Sequence, residues 1–198
     1  MKKILTPAEK DFLLTELAKQ NNIEASILRS IIEVESNYSG FYSEDHTFAN
    51  KCKVRFEPDW FQKFSGARPF FLPASMTIES AKFNPKFTGR LAYEQALLQS
   101  PSAAIKATSF GIGQIMGFNY QKLNYKTLTD FSFDMEDSEY YQLTALVKFI
   151  IATPNLVEAI QEKDFELIAK IYNGRNYKLN NYDEKLEKAY SKFSLSNA

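Results

Sequence analysis

Signals that start and end helices recur along most of the chain, and this feature constrains its fold more than any other. Thr6, Pro7 and Glu9 form a capping box with proline in the first turn, which predicts a helix that ends near Asn21. Other segments begin with helix-start residues or place apolar residues at helical spacing: 23–36, 58–64, 91–98, 101–110, 138–151, 154–160, 164–172 and 183–193. The sequence therefore predicts a mainly α fold.

Two regions interrupt this helical pattern. Charged and apolar residues alternate from Lys51 to Glu57, which predicts a small β element near residues 51–57. Gly111 and Gly113 break the helix that starts at Pro101, and a further helix is expected to begin near Gln114. The proline-rich stretch 65–89 is expected to be the least regular part of the chain.

Composition favours one domain over residues 1–198, because 44% of the residues are hydrophobic and no break in composition divides the chain. The 24 basic and 24 acidic residues give a formal net charge of zero, and no basic block marks a nucleic-acid surface. No apolar run approaches the length of a membrane span. We therefore expect neither a nucleic-acid partner nor insertion into a membrane. Cys52 is the single cysteine, so the fold cannot depend on an internal disulfide.

The N-terminus does not resemble an export signal. Only Ile4 and Leu5 form an apolar stretch after Lys2 and Lys3, which is far shorter than the core of a signal peptide. We expect synthesis in the cytoplasm without a Sec signal, and action elsewhere only after lysis or delivery.

One glutamate stands out in the predicted helix 23–36. When this helix is projected at ~100° per residue, Glu35 falls in the middle of the apolar half, one turn beyond Ile31. Glu33 falls on the opposite side with Arg29, where a solvated glutamate is expected. Burial disfavours an ionised carboxylate and raises its pKa. Cleavage of a glycosidic bond requires such a proton donor for the leaving oxygen. The alternative is that Glu35 is solvated and merely caps or pairs at the helix end.

Short motifs elsewhere follow Glu35-Ser36 in a recognisable order. Ser109 to Met116 reads Ser-Phe-Gly-Ile-Gly-Gln-Ile-Met, and Tyr172 is followed by Asn-Gly. This order resembles the goose-type lysozyme and lytic transglycosylase superfamily. The segments 55–61, 103–120, 172–177 and 180–182 look more specifically like the N-acetylmuramidase family known from phage endolysins. The resemblance covers residues 8 to 192 and implies a lysozyme-like helical domain.

The resemblance also implies roles for individual residues. Glu35 is similar to the general acid of the superfamily, and Ser36 would close the helix end beside it. Tyr172 and Asn173 match the motif that lies beside the acid and contacts the N-acetyl sugar. The remaining expected substrate-binding residues line the floor of the sugar cleft: Ser109, Gly111, Gly113 and Gln114.

Aromatic rings and two departures from the family pattern add further expectations. Tyr172, Phe110 and Tyr120 could stack on pyranose faces, although core packing is the alternative for each ring. Phe110 stands where the family commonly has tryptophan, and Asp59 stands where it often has histidine. The second of these departures leaves the role of Asp59 open.

A second catalytic carboxylate is harder to assign. A nucleophile would lie about 5 Å from the acid, and a base that holds water about 6.5–9.5 Å from it. Glu57 ends the predicted strand and is the preferred candidate, with Asp45 and Glu44 as others. The alternative for Glu57 is a carboxylate that only stabilises a helix N-terminus. Goose-type relatives often lack a strong second carboxylate, so the chain could also work without a dedicated base.

Other chemistries find little support. His46 is the single histidine, which argues against a Ser-His-Asp triad and a histidine-rich zinc site, and we expect no metal and no cofactor. The acidic cluster at Asp134, Glu136, Asp137 and Glu139 lacks the spacing of a calcium loop. It is interpreted as a solvated face and the first turn of a helix that begins at Ser138.

The resulting hypothesis is a muramidase that hydrolyses the β-1,4 bond between N-acetylmuramic acid and N-acetylglucosamine. A lytic transglycosylase that gives 1,6-anhydro products, and a non-catalytic module that binds glycan or protein, remain alternatives. The expected partner is the glycan strand of peptidoglycan, bound by a monomer. An immunity or delivery protein is a further candidate partner, since a phage endolysin and an antibacterial effector fit the sequence equally well.

Overall fold

The computed structural model describes residues 4–195, and within them it confirms a mainly α fold. The helices are α1 (Pro7–Gln20), α2 (Ala25–Ser36), α3 (Pro58–Ser65), α4 (Ile78–Lys82), α5 (Arg90–Gln99), α6 (Pro101–Lys106), α7 (Leu128–Asp137), α8 (Glu139–Ala152), α9 (Leu156–Glu162), α10 (Phe165–Tyr172) and α11 (Tyr182–Leu195). Short 3₁₀ turns cover Pro85–Phe87, Gly117–Asn119 and Tyr177–Asn180. Lys2 and Lys3, on which the expectation about an export signal partly rests, lie outside the described residues.

Local signals set several helix boundaries as expected. The Thr6 hydroxyl accepts a hydrogen bond from the Glu9 backbone N–H, and the Glu9 carboxylate accepts one from the Thr6 N–H, so the predicted capping box is present. Helix α2 ends where Asn37 adopts a left-handed conformation with φ of 51°. This sharp ending leaves Glu35 in the last turn of α2.

Three short strands form one antiparallel sheet in the order β1 (Val54–Phe56), β2 (Thr108–Phe110) and β3 (Ile115–Met116). Val54 pairs with Phe110 in the first ladder, and Ser109 pairs with Met116 in the second. The expected continuation of α6 to Phe110, and the helix expected near Gln114, are therefore wrong. The chain forms a hairpin here because Gly111 and Gln114 both take positive φ, which reverses its direction.

Helix α2 lies at the centre of the hydrophobic core. Ile27, Leu28, Ile31 and Ile32 are completely buried, and α11 packs along this helix. Helix α8 contributes a second apolar stretch to the same core. Burial of this much apolar surface supplies the main driving force for folding. A small separate cluster formed by Leu72, Ala81 and Phe87 lies beneath the irregular segment 66–89.

Glu139 corrects the interpretation of the acidic cluster. Its side chain is fully buried, where it accepts hydrogen bonds from the backbone N–H groups of Leu5 at 2.8 Å and Gly40 at 3.0 Å. The Lys10 ammonium lies 3.0 Å from the same carboxylate. Glu139 therefore joins three distant segments and is not part of a solvated face. Arg29 is likewise buried, and its guanidinium pairs with Asp11 at 2.7 Å.

Within residues 4–195, no single helix has both the length and the apolar composition to cross a membrane. Helices α8 and α9 together meet that test of length and composition, but their axes are bent by 93°.

Candidate active site

A cleft of about 490 Å³ opens between the sheet and the helices α2, α8 and α10. Its walls carry two acids, Glu35 and Glu57, and two cations, Arg55 and Lys122. The other lining residues that matter for chemistry are polar or aromatic: Trp60, Ser109, Gln114, Phe118, Asn119, Phe149, Tyr172 and Asn173. The cleft thus combines a few convergent polar groups with apolar walls, which is typical of a binding site for an organic ligand.

Glu35 reaches the cleft from the last turn of α2. Its Oε1 accepts a hydrogen bond of 2.6 Å from the Tyr182 hydroxyl. Burial raises the pKa of Glu35 from its ordinary 4.5 to about 7, although the Tyr182 hydrogen bond and the positive charge of Arg55 oppose the rise. Glu35 can therefore hold a proton near neutral pH, as the apolar face of the sequence predicted.

Tyr182 contacts Glu35, although the sequence analysis gave it no role and noted it only within the segment 180–182 that resembles the family. It is the first residue of α11, directly after Asn181, which has a left-handed φ of 49°. Its ring stacks on Tyr172 with centroids 6.4 Å apart. The Tyr172 hydroxyl in turn donates to the Gly113 carbonyl oxygen at 2.6 Å. The two tyrosines therefore connect the acid to the hairpin between β2 and β3.

Glu57 lies in the same cleft as Glu35. It precedes α3 at the N-cap position, but its carboxylate makes no capping hydrogen bond to the described residues. The Arg55 Nε instead donates to Glu57 Oε1 at 2.7 Å. Burial raises the pKa of Glu57, and Arg55 opposes that rise. Asp45 and Glu44, the other two candidates, are exposed on the loop before β1 and do not line the cleft.

Ser109 and Gln114 form the polar part of the floor. The Ser109 hydroxyl donates to the Gln114 side-chain oxygen at 2.9 Å, and the Gln114 amide nitrogen donates to the Gly111 carbonyl oxygen at 2.9 Å. These bonds fix the orientation of the Gln114 amide within the cleft. The antiparallel pairing of β2 with β3 is what brings the two residues together.

Comparison with known proteins identifies the family. The family model described as N-acetylmuramidase matches residues 24–194. The chain belongs to the N-acetylmuramidase family. The crystal structure of the Burkholderia AP3 phage endolysin superimposes on this muramidase with a TM-score of 0.74 and 30% sequence identity, covering 95% of this chain and 71% of that one. No curated protein matches the muramidase significantly. The muramidase is thus a glycoside hydrolase that acts on peptidoglycan.

Several expected cleft residues of the muramidase lie elsewhere. Gly111 and Gly113 are buried behind the floor and do not line the cleft. A Cβ at Gly111 would approach the Gln142 side chain to 2.4 Å, and the residue has a positive φ of 68°, so the packing and the backbone conformation both favour glycine here. The Gln142 side-chain oxygen accepts the Ile112 N–H at 2.9 Å, which holds the hairpin turn against α8.

Phe110 does not form a wall of the cleft. It is completely buried and packs edge-on against Tyr93 and Phe131. Ser36 also lies outside the cleft, and its hydroxyl donates to the Ile32 carbonyl oxygen at 3.0 Å. Tyr120 is partly buried and does not line the cleft either. The expectations of sugar stacking on Phe110 and Tyr120 are therefore not supported by their positions.

Other aromatic residues line the cleft of the muramidase instead. Trp60 packs against Phe118 with centroids 4.9 Å apart, and both side chains are partly exposed to the cleft. Phe149 lies edge-on to Tyr172 at 5.5 Å. Trp60 could have been found from the sequence, because it is the only tryptophan and stands three residues after Glu57 in the segment 55–61 that resembles the family. Among residues 4–195, no group of three or more His, Cys, Asp or Glu side chains is arranged to hold a metal ion.

Proposed function

We propose that Glu35 is the general acid that protonates the glycosidic oxygen between N-acetylmuramic acid and N-acetylglucosamine. The observation that carries this assignment is the pKa of Glu35, which burial raises to about 7 in a cleft that is open to a ligand. A carboxyl group that keeps its proton near neutral pH can donate it as the bond to the leaving oxygen breaks.

Tyr182 and Arg55 limit how far that pKa rises. The Tyr182 hydroxyl donates to the carboxylate, and the guanidinium of Arg55 favours the ionised form. After Glu35 has given up its proton, the same two groups stabilise the carboxylate that remains. Burial raises the pKa of Glu35 and these two groups lower it, and the result is a pKa near neutral pH. A general acid transfers its proton most efficiently when its pKa is close to the pH of the reaction.

Glu57 is the candidate for activating the attacking water. It lies across the same cleft, and Arg55 holds its carboxylate at 2.7 Å. This pairing orients one oxygen toward Arg55 and leaves the other free to accept a hydrogen bond. Gln114, Ser109, Tyr172 and Asn173 would bind the polar groups of the two sugars that flank the bond.

Substitution of the acid tests the assignment. Glu35→Gln keeps the size of the side chain and a hydrogen-bonding partner for Tyr182, but it has no proton to donate at any working pH. We expect kcat on purified peptidoglycan to fall by about 10²–10⁴-fold. Glu33→Gln is the matched control, since Glu33 lies two residues away on the same helix and pairs with Lys192 outside the cleft. Clearance by Glu35→Gln at the wild-type rate would refute the assignment.

The reaction products test the type of chemistry. Hydrolysis leaves a reducing N-acetylmuramic acid end, whereas attack by the muramic 6-hydroxyl leaves a 1,6-anhydro end. We expect products with reducing ends to dominate when the digest is separated by chromatography and the products are identified by mass spectrometry. A dominant 1,6-anhydro product would assign the chain to the lytic transglycosylases instead.

A role in lysis follows from the same reaction. The Burkholderia AP3 phage endolysin shares the fold and 30% of the sequence. We propose that this chain likewise degrades the wall of a bacterium from within. Expression alone should leave cells intact, and expression with a pore-forming holin should lyse them; survival in both cases would contradict this role.

A further inference from the structure

Lys122 lines the cleft at the end formed by α8 and the turn that follows the 3₁₀ segment Gly117–Asn119. Its neighbour Leu123 is completely buried, and the Leu123 N–H donates to the carbonyl oxygens of Asn119 and Tyr120. This anchoring fixes the backbone that carries Lys122. The lysine is therefore part of the cleft wall and not of a loose surface loop.

No acid in the described part of the chain balances the charge of Lys122. Within residues 4–195, its ammonium donates to the Thr153 hydroxyl at 2.8 Å and lies 4.8 Å from the centroid of Phe149, but it forms no ion pair. An ammonium has three N–H donors, so two remain for a ligand. Partial burial lowers the pKa of Lys122, which is the direction expected for a cation without a carboxylate beside it.

The other charges of the cleft are already paired or held by a neighbour. Arg55 pairs with Glu57, and Glu35 is held by Tyr182. When Glu35 carries its proton, Lys122 is the net charge of the cleft. In that protonation state the cleft carries a positive charge, although the formal net charge of the chain is zero.

A row of aromatic rings links this cation to the acid. Tyr182, which binds Glu35, stacks on Tyr172; Tyr172 lies edge-on to Phe149; and Phe149 lies beneath the Lys122 ammonium. Tyr182 itself is buried, but Tyr172 and Phe149 line the cleft, and apolar surfaces of this kind suit sugar rings. A ligand that passes from Glu35 across these two rings would place an anionic substituent at Lys122.

We infer that Lys122 binds a carboxylate carried on the muramic acid substituent of peptidoglycan. This is a carboxylate of the peptide stem where a stem is attached, or the free lactyl carboxylate where the muramic acid carries no stem. This role rests on the proposed function because it places the glycan strand along the cleft. It adds a specificity determinant, since a neutral glycan such as chitin has no carboxylate to offer Lys122. Thr153 and Phe149 act as positioning residues for the ammonium.

Binding without turnover tests this role separately from catalysis. Binding is measured by co-sedimentation with intact peptidoglycan. The parent is the variant Glu35→Gln, and it is compared with three variants that add Lys122→Met, Lys122→Arg or Lys148→Met. We expect Lys122→Met to weaken binding roughly tenfold, the factor that ~1.4 kcal/mol gives, as for a hydrogen bond to a charged group. Lys122→Arg keeps the positive charge, and although a guanidinium differs in shape from an ammonium, this variant should bind more tightly than Lys122→Met. Lys148 is exposed on α8 outside the cleft, so its substitution should have no effect.

Chemically altered peptidoglycan identifies the carboxylate. Methyl esterification removes the charge of all carboxylates, and the affinity difference between Glu35→Gln and its Lys122→Met variant should then disappear. Treatment with an amidase removes the stems and frees the lactyl carboxylate. Because the lactyl carboxyl is an amide while the stem is attached, a difference that increases on this treatment assigns the contact to the lactyl carboxylate, and one that decreases assigns it to the stem.

Two results would overturn the role of Lys122. One is equal binding of the Lys122→Met variant and its parent to intact peptidoglycan, with matching thermal unfolding curves. The other is a difference of the same size on esterified peptidoglycan. If Glu35→Gln proved fully active, the assignment of Glu35 as the acid would fail. The role of Lys122 could still be tested, by measuring the binding of peptidoglycan fragments that the enzyme does not cleave.

Discussion

The hydroxyl of Tyr182 donates a 2.6 Å hydrogen bond to Oε1 of Glu35, which lies 147 residues earlier in the chain. The bond crosses from the first turn of α11 to the last turn of α2, the two helices that pack along each other in the core. The position of the proposed acid thus depends on a contact between the two ends of the fold.

Tyr182→Phe is expected to shift the pH dependence of the reaction upward. The hydrogen bond from Tyr182 lowers the pKa of Glu35. Its loss should therefore raise that pKa above its present value of about 7. The pH at which kcat falls by half should therefore move to higher values, while kcat at neutral pH drops by about tenfold or less. Tyr190→Phe is the control, because Tyr190 is a tyrosine of the same helix that bonds Glu24 outside the cleft. An unshifted profile in Tyr182→Phe would contradict the positioning role.

Glu35→Gln is expected to stabilise the protein at high pH. The folded pKa of Glu35 is raised, so the unfolded chain loses its proton first as pH increases, and stability falls between pH 4.5 and about 7. Above that range the folded state carries an unfavourable buried charge, worth up to about 3 kcal/mol. The melting temperature of Glu35→Gln should be higher than that of the wild type at pH 8, and the two should be equal near pH 4. A difference that does not change with pH would rule out this explanation.

Glu57→Gln separates a base from a structural partner of Arg55. If Glu57 activates water, kcat should fall by about 10²-fold with little change in KM, because the contact matters only during reaction. Thermal unfolding should change little, since the Arg55 side chain is 55% exposed and its ion pair contributes weakly to stability. Glu79→Gln is a suitable control, being an exposed acid paired with Lys82 beyond the cleft. Wild-type turnover in Glu57→Gln would show that the reaction needs no dedicated base at this position.

Gly111→Ala is expected to destabilise the fold more than Gly66→Ala. The two glycines have nearly equal positive φ, 68° and 73°, so both substitutions introduce backbone strain of about 1 kcal/mol. Only Gly111 adds a clash, because its Cβ would approach Gln142 to 2.4 Å, whereas no described atom lies within 4 Å of a Cβ at Gly66. In urea, the free energy of unfolding of Gly111→Ala should be lower than that of Gly66→Ala by at least about 1 kcal/mol. Equal losses would mean that Gln142 moves aside freely.

Sequence patterns predicted the parts of this fold that depend on neighbours in the chain. The capping box at Thr6 and the apolar face of α2 are local, and the second of these was enough to separate Glu35 from Glu33. Resemblance to the N-acetylmuramidases supplied what periodicity could not, namely the order of the motifs that surround Glu35.

The errors involve residues whose structure depends on distant partners. Residues 108–116 form a hairpin because β2 pairs with β1, more than 50 residues earlier, and no local pattern records that pairing. The glycines of the hairpin suggested close approach of a sugar, but the Gln142 side chain lies against Gly111, and Leu146 and the Tyr172 hydroxyl lie against Gly113. Lys122 was overlooked for the same reason, since its isolation from acids is visible only when the cleft is assembled.

The buried carboxylate of Glu139 should limit local opening at the beginning of the described chain. Because it accepts the Leu5 N–H at 2.8 Å and belongs to the central helix α8, the beginning of the described chain is fastened to the middle of the core. Chain ends ordinarily fray, and their amide hydrogens exchange with solvent through small local openings. The amide hydrogen of Leu5 should instead exchange as slowly as those of α8, because freeing it removes one of the hydrogen bonds that stabilise the buried Glu139 carboxylate beside Gly40 and Lys10. The chain start and the core therefore open together as one cooperative unit.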